Sequence, residues 1–151
     1  DSTGWLDMKF TPSNPKLTTP CLEFGYADEE IHSLMMADGN SYCFSRGIEH
    51  IDLLKIDTEG HEMKVIRGLG DLIIDQRIAI IQFEYGYANV LTKDLLIDYW
   101  RLFNEHYYMG LLREDGKVLF KDYQLADETF QAPNYVAVLK DRPDIISLVQ
   151  A

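Results

Sequence analysis

The sequence predicts an α/β fold, with a sheet of parallel strands and an antiparallel edge at its C-terminal end. Three observations carry this expectation. Residues 51–57 and 78–84 are short, mainly apolar runs of the kind found in strands covered on both faces. Residues 58–77 between them are too many for a hairpin and are patterned as helix, which makes the unit a parallel βαβ crossover. The C-terminal third contains β-rich stretches joined through Glu114-Asp115-Gly116, a hairpin turn sequence.

The elements follow in order. Residues 1–19 contain Pro12, Asn14 and Pro15 and read as irregular chain, with Trp5, Leu6 and Phe10 available to pin it down. Residues 21–26 suit a short strand. Residues 28–36 suit a helix, with Asp28 as N-cap, Glu29 and Glu30 in the first turn, and Ile31, Leu34 and Met35 on one face. Asp38-Gly39-Asn40 breaks the chain, and Gly47 closes a helical turn over residues 41–46. The crossover helix spans residues 61–68, with Met63, Ile66 and Leu69 on one side, and a further turn covers residues 72–75. Residues 91–106 form an amphipathic pattern that buries Leu95, Leu96, Tyr99, Leu102 and Phe103 and leaves Asp94, Asp98, Arg101 and Glu105 mostly wet. Strands are expected at residues 107–113, 117–121 and, after a polar loop at 126–133, at 134–139. Residues 1–37 thus form an irregular segment with a short strand and helix, and residues 38–151 the main α/β unit; together they have the size of one domain.

Composition narrows the function. With 14 basic against 25 acidic side chains the net charge is −11, which argues against a nucleic-acid or anionic-membrane surface. No apolar run is long enough to span a bilayer. Cys21 and Cys43 have neither the spacing of a zinc site nor the density of a disulfide scaffold, so a reducing, cytoplasmic setting is the expectation. The chain begins at Asp1 without an initiator Met, as a piece of a longer chain does.

In open α/β sheets, ligands bind outside the carboxyl ends of the parallel strands. Those ends carry Asp57-Thr58-Glu59-Gly60-His61 and Glu84-Tyr85-Gly86, so two acidic clusters are expected side by side. Asp57, Glu59, His61 and Glu84 are the candidate site residues, with Tyr85 for contact with a substrate. Plainer roles stand beside these. Glu59 and Glu62 suit a helix N-terminus, Thr58 a cap, His61 an exposed first turn, and Lys55 a structural pair with Glu84. Three carboxylates can take a divalent cation, but the pattern does not specify one, and no metal is assigned. Gly68-Leu69-Gly70 follows a helix and lacks the rest of a dinucleotide fingerprint; His61-Glu62 lacks the second histidine of a zinc-protease helix; no phosphate loop or Gly-x-Ser-x-Gly occurs.

The run from Ile51 to Glu62 (Ile-Asp-Leu-Leu-Lys-Ile-Asp-Thr-Glu-Gly-His-Glu), with Val65-Ile66-Arg67-Gly68 and Ile81-Gln82-Phe83-Glu84-Tyr85-Gly86, resembles the FkbM family of S-adenosylmethionine-dependent methyltransferases. Ser41-Tyr42-Cys43 and Asn134-Tyr135-Val136-Ala137 fit the same pattern, so the resemblance covers roughly residues 38–140. It implies a partial class I methyltransferase (Rossmann-like) sheet, in which residues 51–57 are the fourth strand, 78–84 the fifth, and the last two strands an antiparallel pair at the far edge. It also implies methyl transfer to a hydroxyl of a sugar or natural product, with Asp57 and Glu59 as family-placed bases and His61 and Glu84 as alternatives.

The family's cofactor-binding glycine loop is not seen. At about 30 residues per βαβ unit, the 50 residues before Ile51 are too few for three strands with their crossovers. Most of the S-adenosylmethionine site is therefore expected to be absent, and no cofactor-binding residue is named. The expected partner is a small-molecule or glycan hydroxyl acceptor, with no nucleic acid and no membrane. A non-catalytic methyltransferase-like interaction module is the alternative, and a carboxylate-based cation-binding domain a third reading. Without a first strand, residues 51–57 form an open edge, expected to be covered by residues 21–26 or by a second copy in a homo-oligomer.

Overall fold

The computed structural model describes residues 4–13, 18–20 and 28–151. Its elements are β1 (Gly4–Phe10), β2 (Glu30–Met36), α1 (Gly39–Arg46), β3 (Ile51–Ile56), α2 (Glu62–Gly68), α3 (Gly70–Ile74), β4 (Ile78–Gly86), α4 (Ala88–Thr92), α5 (Leu96–Phe103), β5 (Tyr107–Leu112), β6 (Val118–Phe120), β7 (Gln131–Leu139) and α6 (Pro143–Val149). Strands β3 and β4 pair in parallel, Leu53 against Ile80 and Ile56 against Phe83, with α2 and α3 as the crossover. Strand β4 is covered on both faces as expected, whereas β3, among the described residues, is not: Asp52, Leu53 and Lys55 on it are exposed. Ile56, Ile81 and Phe83 are buried on the face that α2, α3 and α5 cover, in one core with Met63, Ile66, Leu72, Tyr99 and Phe103. Phe83 stacks on Tyr99 at 4.5 Å between ring centroids.

The full sheet is mixed, in the order β3-β4-β7-β5-β6, and only the β3–β4 pair is parallel. The expected far-edge pairing of the last two strands is corrected. Strand β7 lies inside the sheet between β4 and β5, and the β5–β6 hairpin forms the far side. The reason lies in residues 135–139, which are buried without interruption and therefore need a neighbour on both edges and cover on both faces. Their second face packs with Val118 under Ile145, Ile146 and Val149 of α6.

Two helical expectations also change. Residues 30–36 are a strand, paired antiparallel with β1 from Gly4 against Met36 to Phe10 against Glu30. A helix here would need a core for its apolar stripe, but Ile31, Leu34 and Met35 are all exposed; pairing with β1 instead satisfies the backbone. Residues 4–10, expected as irregular chain, supply the partner strand. The pattern at 91–106 is not one helix. Lys93 adopts a left-handed φ of 62° and ends α4, and α5 starts anew at Leu96. The Asp98 carboxylate accepts from the Leu95 amide and the Glu128 carboxylate from the Leu96 and Ile97 amides, so the second helix begins on dedicated acceptors. Leu95 and Leu102 are exposed rather than buried, and Asp94 is buried.

The expected turn over 41–46 is α1. Asp38 caps it by accepting from the Ser41 amide at 2.8 Å, and Gly47 closes it at φ 65°. The expected strand at residues 21–26 lies outside the described residues. Among the described residues β3 pairs only with β4, and Leu53 on it is exposed. None of the described helices is long and apolar enough to cross a membrane. Cys43 is buried with a free thiol.

Glycine content tests the sheet directly. A Cβ on Gly110 would lie 2.4 Å from the Leu119 carbonyl oxygen on β6, backbone that cannot swing aside. Gly110→Ala is expected to cost about 1–3 kcal/mol in urea unfolding. Gly70→Ala, whose Cβ meets nothing within 4 Å at the start of α3, is expected to be neutral or to gain up to roughly 1 kcal/mol. Equal effects of the two substitutions would contradict the β5–β6 pairing.

Candidate functional site

Parallel pairing brings the carboxyl ends of β3 and β4 to one rim, and three carboxylates gather there. One oxygen each from Asp57, Glu59 and Glu84 lies within 4.8 Å of the other two. Glu84 sits on β4 beside Gln82, whose amide donates to Asn134 of β7 at 2.8 Å. Asp57 follows the last residue of β3 and accepts from Lys55 Nζ at 2.9 Å. Lys55 is exposed and pairs with Asp57, not with Glu84 as its place in an apolar strand suggests; it influences Glu84 only through its charge.

The loop after Asp57 is held from inside by Glu62. Its carboxylate is buried and accepts from the Thr58 amide at 2.8 Å, the Thr58 hydroxyl at 3.0 Å and the Gly60 amide at 3.0 Å. The expected cap is thus reversed: Thr58 donates to Glu62, whose acid takes up amides that the turn would otherwise leave without an acceptor. Gly60 has φ 105°, a conformation natural to glycine, whereas Glu59 holds φ 51°.

Crowding sets the charge state of the rim. Burial pushes the Glu59 carboxyl above the usual glutamate range, and the charges of Asp57 and Glu62 push the same way. Burial likewise raises Glu84, reinforced by Glu59, Asp57 and Glu62 and opposed by Lys55. A carboxyl raised in this way is a better proton acceptor at neutral pH than an exposed one. Three carboxylates supply about half the oxygens a hard cation takes, and such groups occur widely without an ion, so they are not assigned as a metal site.

His61 stands apart from this cluster. Burial and the nearby Lys64 charge push it down to about 4, so the ring is neutral at pH 7, and its Nε2 lies 2.7 Å from Lys64 Nζ. Tyr85 is turned away from the acids. Alternation along β4 puts it on the opposite face from Glu84, fully buried, with its hydroxyl donating to Glu128 and its ring against Tyr99, Phe130 and Tyr135. The tyrosine at the rim is Tyr87, half exposed in a small crevice with Glu59, Glu84, Gly86 and Asn89.

Three contributors escaped the reading of the sequence. Asn89 is buried, accepts from the Gly86 amide at 2.9 Å and donates to the Tyr99 hydroxyl at 3.1 Å, fixing the turn after β4. Glu128 takes hydrogen bonds from Tyr85, Tyr123, Leu96 and Ile97, which ties the polar loop across the start of α5. Thr19 donates its hydroxyl to the Glu59 carbonyl at 2.8 Å, 40 residues away in sequence. Periodicity marks none of them, because each acts through specific hydrogen bonds, those of Thr19 and most of those of Glu128 with partners remote in the chain.

The rim makes stability depend on pH. Glu59 and Glu84 titrate above their unfolded values, so the folded chain binds more protons in the interval between the unfolded and folded values, and stability falls as pH rises through it. Glu84→Gln is expected to raise the urea midpoint at about pH 7 and to leave it unchanged near pH 3, where glutamates are protonated in both states. The same gain at both pH values would contradict crowding as its cause.

Comparison with known proteins adds one match: the family model for the methyltransferase FkbM domain fits residues 24–108, more than half of the chain. No curated protein and no solved structure matches it.

Proposed function

The chain belongs to the FkbM methyltransferase domain family, and from that premise we propose that its acid rim is the proton-accepting side of an S-adenosylmethionine-dependent O-methyltransferase. Family membership points to methyl transfer in general, and the mixed α/β fold with its five-stranded sheet is consistent with a methyltransferase-like fold. One observation carries the finer reading: Asp57, Glu59 and Glu84 converge at the carboxyl ends of the two parallel strands, where burial and mutual repulsion raise two of them.

A hydroxyl is a poor nucleophile until its proton leaves. Glu59 and Glu84, partly buried and raised, are the groups suited to accept it, and Asp57, paired with Lys55, is suited to hold negative charge that discourages both from ionising. Tyr87 and Asn89 border the same crevice, where an acceptor hydroxyl would approach. His61 is the weaker alternative, since a ring pushed down to about 4 beside Lys64 binds a proton poorly at pH 7. The acceptor class, a sugar or natural-product hydroxyl, follows from the resemblance alone.

The methyl donor does not fit the rim crevice. In the family S-adenosylmethionine supplies the electrophilic methyl group, but the rim crevice has room for about 10 Å³, far below the several hundred that enclose a ligand of that size. That crevice also favours the second reading, an interaction module that carries the fold without turnover.

Two measurements test these readings. Calorimetry of S-adenosylmethionine against this chain is expected to show weak binding or none, and micromolar binding would contradict the reading that the chain lacks a site for the donor. With methyl-labelled donor in large excess and a panel of hydroxylated sugars, label is expected in the acceptor. Glu59→Gln and Glu84→Gln are expected to reduce the rate by about 10²–10⁴-fold, against a small effect of His61→Ala. Label transfer unchanged in both glutamate variants would remove the carboxylates from the mechanism; no transfer to any acceptor would favour the module.

A further inference from the structure

Two of the three rim acids are placed by strands, Glu84 within β4 and Asp57 directly after β3; Glu59 is placed by a loop alone. That loop holds Glu59 at φ 51°, a left-handed conformation unfavourable for an L residue with a side chain. The Glu59–Gly60 peptide is held from its amide side, where the Gly60 N–H donates to the Glu62 carboxylate at 3.0 Å, and its carbonyl side needs a second group. The Thr19 hydroxyl takes that place, donating at 2.8 Å. Thr19 is itself well anchored: it is 5% exposed, and its amide and carbonyl pair with the carbonyl and amide of Lys9 at 3.1 and 2.9 Å, so it is tied to the β1 end of the N-terminal ribbon.

We propose that Thr19 is a positioning residue for the rim: its hydroxyl holds the Glu59–Gly60 peptide in the orientation that carries the Glu59 carboxylate in towards Asp57 and Glu84. The proposal rests on the reading of those acids as the proton-accepting group, and it gives the ribbon of β1 and β2 a role in the site. Loss of the hydroxyl leaves this peptide held by Glu62 at its amide end alone, a single hinge about which Glu59 can relax to an ordinary φ and turn its carboxylate out towards water. The charged groups around Glu59 are Asp57 and Glu62 from its own loop and helix and Glu84 from β4, with Lys55 from β3 acting on Glu84.

The test compares Thr19→Val with Thr19→Ser in the full chain carrying ¹³C-labelled glutamate. In Thr19→Val the carboxyl titration midpoint of Glu59 is expected to fall towards that of an exposed glutamate, and the strong intraresidue amide–Hα contact that marks a positive φ is expected to disappear. Thr19→Ser, which keeps the donor, is expected to retain both. A Thr19→Val variant with both signals unchanged, or a Thr19→Ser variant that behaves like Val, would overturn the proposal.

Stability gives a second reading that does not depend on the titration. Glu59→Gly removes the conformational strain, so Thr19→Val is expected to lower the urea midpoint less in a Glu59→Gly background than in the native chain. An equal loss in both backgrounds means a simple strap and refutes the positioning role. Neither experiment measures turnover, so an absence of methyl transfer would count against the rim acids as proton acceptor and not against the placement of Glu59 by Thr19.

Discussion

The structure depends on the parallel register of β3 and β4. Parallel neighbours cannot be joined by a tight turn, so the chain must leave the sheet, cross it as α2 and α3, and return. That requirement sets both ends of the crossover. At the exit, the chain turns from strand to helix within residues 57–61, and the buried Glu62 carboxylate gathers the amides freed by the turn. At the return, Ile78 enters β4 fully buried, with its carbonyl accepting from the Tyr107 hydroxyl at 2.9 Å. The acids at the rim are a consequence of this register: Asp57 and Glu84 are far apart in sequence and meet because their strands run the same way and end together.

Crowding then gives the rim its chemistry. A lone exposed glutamate is ionised at neutral pH and has little tendency to take a proton. Here three carboxylates with oxygens within 4.8 Å stand above a fourth, the buried Glu62, and a single lysine answers one of them. The net charge of −11 supplies no surplus of cations to relieve the cluster. Burial and this repulsion together raise the pKa values of Glu59 and Glu84, at the expense of stability at neutral pH. A site that stores repulsion in the folded state and releases it on protonation is suited to accept a proton.

Much of the main unit was legible in the sequence, for reasons that can be located. The runs at 51–57 and 78–84 were legible as strands of one parallel unit, because each is short and mainly apolar, and 20 residues patterned as a helical crossover separate them. Gly47 and Gly116 stood where positive φ is needed, at 65° and 78°, and they do end a helix and close a hairpin. The failures share a cause. Residues 30–36 have a helical pattern, but the choice between helix and strand rested on β1, which the sequence hid among prolines and threonines. Residues 91–106 carry one amphipathic pattern, but the fresh start of α5 at Leu96 is supported by Glu128, more than 30 residues further on. The carboxylates of the rim were found from their places after two strands; Thr19, which holds one of them, and Tyr85, which faces the other way, could be placed only once the sheet was assembled.

The account stands or falls on whether the crowded carboxylates take the acceptor's proton, and the pH dependence of methyl transfer measures that most directly. The rate is predicted to rise along an acid limb whose midpoint lies above the range of an ordinary glutamate, and Glu84→Gln is predicted to move that limb downwards, because it relieves the repulsion on Glu59. A limb that stays in place in Glu84→Gln and Glu59→Gln, or one that moves only when His61 is replaced, would contradict it.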